Sequence, residues 1–122
     1  MKIRFFLSLI LSLFLFQSCS SVPGLKEPSE AEINAESLKA YNEIKTKAKR
    51  STNKEWIEMV DRVSRRIAEA SGENFQWEWV LIDDPQVNAW CMPGGKMAVY
   101  TGIMPVLKTE GALAAVMGHE VA

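Results

Sequence analysis

Apolar residues change period several times along this chain, and each change predicts a different element. Phe5–Phe16 is an almost unbroken apolar stretch. Between Glu30 and Arg50, Ile33, Leu38, Tyr41, Ile44 and Ala48 follow a helical period only loosely, which predicts a weakly packed helix. Ser29 and Glu32 stand at the spacing of a capping box in front of it. Thr52 and Glu55 repeat that spacing. Behind them Trp56, Val60, Val63, Ile67 and Ala70 recur at intervals of 4, 3, 4 and 3, one clean helical face with Trp56 in the core. Gly72 is placed to stop this second helix.

The period then drops to two. Phe75, Trp77, Trp79 and Leu81 alternate with Gln76, Glu78 and Val80, predicting a strand. Asp83-Asp84-Pro85 is a turn, Val87–Met92 a short extended segment, and Pro93-Gly94-Gly95 a break before a strand over Lys96–Thr101. Gly102–Leu107 suits one or two helical turns. Thr109 and Glu110 suit the start of a last helix running to Ala122. The expected fold class is therefore α+β: N-terminal helices, a short antiparallel β-meander, then a further helix.

Composition agrees with a globular chain. Of 122 residues, 48% are hydrophobic and 24% charged, which excludes a collagen-like, coiled-coil or wholly disordered chain. Lys plus Arg number 14 and Asp plus Glu 15. Without Lys2 and Arg4 the balance is 12 against 15, a net of −3. A mildly acidic domain lacks the electrostatic footprint for nucleic acid, so none is expected as a partner. The basic run Lys45, Lys47, Lys49, Arg50 reads as a solvated face near a helix C-terminus.

Residues 1–18 read as a secretory leader: a positive start, an apolar run, then small residues. The twelve residues of this run span ~18 Å of helix, short of the ~30 Å hydrocarbon core of a bilayer. Cys19 follows directly, and the segment resembles a bacterial lipoprotein leader in which that cysteine is acylated. Ser20 after it is similar to the outer-membrane sorting pattern. The resemblance implies a lipid anchor on the outer membrane facing the periplasm, held by several acyl chains. Residues 19–29 are then a tether and 30–122 the domain. With Cys19 lipidated, Cys91 has no disulfide partner and is expected to be a buried thiol.

The chain closes on His119-Glu120-Val121-Ala122. In H-E-x-x-H, two histidines four apart reach one zinc from a single helix face, and the glutamate lies close enough to take a proton from the metal-bound water. Only the first part of that motif is present. The H-E dipeptide alone says little, but its neighbourhood says more. Asn88-Ala89-Trp90-Cys91-Met92-Pro93-Gly94-Gly95, then Val99-Tyr100-Thr101-Gly102, then Leu113 through Ala122 resemble the M48 family of zinc metallopeptidases, in particular bacterial lipoprotein members related to the mitochondrial inner-membrane protease. The close resemblance covers about Trp79–Ala122.

The resemblance implies the N-terminal part of a zincin-like peptidase domain, ending inside the zinc-binding helix. It implies one Zn2+ per complete domain, His119 as a metal ligand and Glu120 as general base. The second histidine and a later glutamate ligand have no counterpart here. Pro93, Gly94, Gly95, Lys96, Met97 and Ala98 are expected to border the substrate cleft, with the strand from Lys96 receiving an extended peptide by strand addition. The implied function is a zinc metalloendopeptidase of the bacterial cell envelope acting on misfolded or misassembled proteins, with residues 1–122 alone inactive. The alternative is a non-catalytic, peptide-binding or chaperone-like envelope lipoprotein, or a decayed gene product.

Overall fold

A computed structural model describes Gly24 and residues 26–122. The leader, Cys19 and most of the tether lie outside the described residues. Helix α1 spans Glu30–Lys47 and opens on the expected capping box: Glu32 N–H donates to Ser29 Oγ at 3.3 Å, and Ser29 N–H donates to Glu32 Oε2 at 2.7 Å. It stops short of Arg50 because the next residues turn extended. Arg50 bridges Ile82, Ser51 N–H donates to the Leu81 carbonyl at 2.9 Å, and Asp83 N–H donates to the Lys49 carbonyl at 2.8 Å. Tyr41 is the helix's one buried residue, while Ile33 and Leu38 stay exposed, so the weak packing expected from its irregular period is observed.

Helix α2 spans Lys54–Ser71. Its cap is Asn53, one residue later than the spacing of Thr52 and Glu55 suggests; Asn53 Oδ1 accepts the Trp56 N–H at 3.1 Å. Asn is at least as good a cap as Thr, which lets Thr52 stay outside the helix. Gly72 ends it at φ 71° in the left-handed region, as expected. Val60 and Val63 are buried; Ala70 is exposed, so the inward face ends at Ile67.

Three strands follow: β1 (Glu78–Ile82), β2 (Ala89–Met92) and β3 (Lys96–Tyr100). The α+β class holds, but the sheet is not a simple meander. Its order is β1-β3-β2; β2 and β3 form the expected antiparallel hairpin, whereas β1 pairs with β3 in parallel. The cause lies in the segment after β1, which crosses the end of β3 before β2 begins. Asp84 N–H donates to Thr101 Oγ1 at 3.0 Å, and Gly102 N–H donates to the Asp84 carbonyl at 2.9 Å. A side chain at Gly102 would collide with the Pro85 and Gln86 carbonyls, so the crossing depends on glycine there.

A 3-10 turn (Thr101–Ile103), the short helix α3 (Met104–Leu107) and helix α4 (Glu110–Val121) complete the described chain. The sheet is covered on both faces. Met97 and Val99 of β3 meet Val60 and Val63 of α2 and Leu113 and Met117 of α4 on one side. Ala98 joins Tyr41, Val80 and Ile82 on the α1 side.

Candidate active site

Helix α4 is fastened at its start. Thr109 Oγ1 accepts the Ala112 N–H at 3.1 Å, and Arg62 of α2 reaches Glu110 at 2.6 Å. Leu113 and Met117 are fully buried, so the helix cannot rotate without emptying the core. At about 100° per residue, Glu120 falls within roughly 20° of Leu113 around the helix axis. It therefore continues the inward stripe, yet Glu120 and His119 are both exposed.

The strand it meets there is β2. The Cys91 thiol is half-buried and its pKa is pushed up, first by burial and then by the negative charge of Glu120. Helix α4 packs on β2, which brings the charge of Glu120 within electrostatic reach of Cys91. Sequence patterning predicted a lone buried thiol; its proximity to Glu120 follows only from the packing of α4 on β2.

Among the described residues no strand pairs with the outer edge of β2. β3 is the middle strand, with β1 on one side and β2 on the other, and residues 49–51 pair with the C-terminal end of β1 at Leu81–Asp83. Tyr100 N–H donates to the Asn88 carbonyl at 3.0 Å. Antiparallel alternation then turns the backbone groups of Trp90 and Met92 toward β3 and those of Ala89 and Cys91 toward the free edge.

This corrects the expectation for Lys96, Met97 and Ala98. Both edges of β3 are paired, so it cannot accept an added strand, and all three side chains are buried. Lys96 points its ammonium at the Gln76 carbonyl and the Glu78 carboxylate. Pro93 is exposed in the hairpin turn. Gly94 and Gly95 adopt φ 81° and 79°, as a tight turn there requires. Their missing side chains make room for Asn34 and for the Trp77 ring, so the turn packs toward α1 and residues 75–77.

The donor set decides what the described residues can do with a metal. Catalytic zinc takes three protein ligands and a water. Among the described residues no group of three or more His, Cys, Asp or Glu side chains could hold a metal ion. His119 supplies a single imidazole, so these residues do not by themselves form a zinc centre.

An α+β frame of helices on a small mixed sheet, closed by the H-E helix, is consistent with part of a zincin-like fold. Residues 50–122 match peptidase family M48, and the chain belongs to that family. It is similar to the mitochondrial metalloendopeptidase OMA1 of Schizosaccharomyces pombe, with 48% identity over 64 residues covering 52% of this chain and 19% of that protein. The Arabidopsis thaliana protein of the same name is 35% identical over 69 residues, covering 55% of this chain and 14% of its own length. That of Saccharomyces cerevisiae is 33% identical over 52 residues, covering 41% and 15%. The chain thus spans less than a fifth of the length of these relatives.

These relatives overturn one expectation. The leader suggested a lipid-anchored bacterial outer-membrane protein facing the periplasm, whereas all three relatives are mitochondrial proteins. Among the described residues no helix is long and apolar enough to cross a membrane.

Proposed function

We propose that this chain is the substrate-receiving and proton-handling part of an OMA1-like metalloendopeptidase that cleaves misfolded or misassembled proteins. The observation that carries this reading is the packing of α4, with Glu120 in its last turn, on β2, whose outer edge pairs with no strand among the described residues. An extended substrate segment adds to β2, bonding to the outward backbone groups of Ala89 and Cys91. Strand addition needs only main-chain groups and a locally unfolded segment, which suits misfolded proteins as substrates. Glu120, exposed next to that edge, holds and passes a proton at the scissile bond. His119 is one imidazole of the zinc site. The remaining ligands are not among the described residues, so the 122-residue chain by itself is expected to hold no tight zinc and to leave unfolded casein intact.

The test uses the protein that carries this segment together with a complete ligand set. Glu120→Gln should keep its zinc and lose at least ~100-fold in casein turnover, the scale of a general acid–base contribution. Turnover unaffected by the substitution would refute the role of Glu120. Chelator-sensitive cleavage by residues 1–122 alone would refute the division of the site.

A further inference from the structure

We propose that the segment received by the β2 edge carries large apolar side chains at alternate positions, and that Trp90 and Met92 select it. The inference rests on the strand addition proposed above and names the substrate class that the same edge takes. Ala89 and Cys91 turn their backbone groups outward and their side chains toward α2 and α4. Trp90 and Met92 turn their side chains to the opposite face, toward α1. An added strand repeats this alternation, so every second substrate side chain comes to lie beside Trp90 or Met92.

Both side chains are half-buried. They pack on the buried cluster around Tyr41, and among the described residues no strand covers them from the edge. Across the ladder Trp90 faces only the small side chain of Ala98. The indole is held in place: its Nε1–H donates to the Tyr100 hydroxyl at 3.2 Å, and the Tyr41 ring meets it edge to face, with centroids 6.3 Å apart at 87°. A side chain fixed in this way loses little further freedom when a ligand packs against it.

The pair offers no polar partner to a substrate side chain. The indole N–H, its one strong donor, is already given to Tyr100. Lys96, opposite Met92, directs its ammonium to the Gln76 carbonyl and the Glu78 carboxylate. A charged substrate residue in this row would lose water without gaining a bond, whereas leucine, methionine or phenylalanine would cover apolar surface. The other row is bordered by the small side chains of Ala89 and Cys91, so selection for large residues falls on Trp90 and Met92. Alternating apolar residues are what a folded protein buries on one face of a strand. They become accessible when that protein is misfolded, which gives the edge a chemical basis for choosing such substrates.

The experiment titrates the full chain against a short dye-labelled peptide in which leucine alternates with threonine, read by fluorescence anisotropy. Antiparallel addition, the more stable ladder, sets the threonines opposite Ala89 and Cys91 with their N–H groups bonded to β2. The leucines then lie opposite Trp90 and Met92 with their N–H groups turned away. N-methylation of the leucines should be tolerated, and N-methylation of the threonines should abolish binding. The leucine-methylated peptide fixes the register and serves as the probe. Serine in place of its leucines should weaken binding about tenfold, the loss of two cross-strand apolar contacts. Met92→Glu should weaken the leucine peptide and favour a version with lysine in that row by a few-fold. Trp90→Ala should narrow the leucine-to-serine difference to about threefold; because Trp90 also packs on Tyr41, the Met92→Glu exchange decides if that variant does not fold. A serine peptide that binds as well as the leucine one, with threonine methylation still abolishing binding, would overturn this inference and leave strand addition standing. A leucine preference untouched by either substitution would also overturn it. Binding indifferent to which residues are methylated, or no saturable binding of the leucine peptide, would overturn strand addition to β2 and this inference with it.

Discussion

The two faces of the sheet are built on different principles. Toward α2 and α4 the core is continuous and apolar, with ten buried residues contributed by three helices, all three strands and the 3-10 turn after them. Toward α1 the buried apolar cluster has only four residues, and the rest of the contact is an aromatic and cationic assembly. Trp90 donates to the Tyr100 hydroxyl at 3.2 Å there, and Lys45 lies 5.0 Å from the Tyr41 ring centre. The first face holds α4, and with it His119 and Glu120, at a fixed angle. The second holds a helix whose own sequence has little apolar surface to bury.

The sharpest way to break that comparison is to truncate one leucine on each side. Leu113→Ala, in the α4 core, should cost about 2–5 kcal/mol in urea unfolding. Leu38→Ala, on a 40% exposed position of α1, should change stability by less than about 0.5 kcal/mol. Equal losses would mean that both faces bear the fold alike. Two glycines give a smaller contrast. At Gly95 a Cβ would lie 2.7 Å from Trp77 Cε3 and φ is positive, so Gly95→Ala should cost about 1–3 kcal/mol. At Gly118 nothing lies within 4 Å, and Gly118→Ala should add about 0.5–1 kcal/mol to this helix.

The cap of α2 comes next. Asn53→Ala should lower stability by about 1 kcal/mol, whereas Thr52→Ala should leave it unchanged. The reverse ranking would restore Thr52 as the cap. The smallest effect concerns Cys91. Its thiol pKa is raised, so alkylation should be slow at pH 8 and quicken as pH climbs. Removing the nearby negative charge with Glu120→Gln should lower that pKa and speed alkylation at pH 8 by a few-fold at most. An unchanged rate would separate Glu120 from the β2 edge.

What the sequence by itself determined is local. The capping box at Ser29, the period of Trp56 through Ile67, the Gly72 stop and the Pro93-Gly94-Gly95 turn are readable because each depends on contacts within a few residues. The H-E dipeptide and the blocks around it likewise marked the peptidase family, since a motif is a local pattern. The order of the strands was not readable. Alternation in Trp77 through Leu81 says that a strand exists, and carries no information on which neighbour it takes. Only the crossing of residues 83–88 over Thr101 and Gly102 sends β1 to one side of β3 and β2 to the other. That choice buried Lys96–Ala98 in the middle of the sheet and left the edge at Ala89 and Cys91 open beside Glu120. Strand order is settled by long-range pairing and packing, which no short window of sequence contains, and here it decides which strand of the sheet lies in the middle.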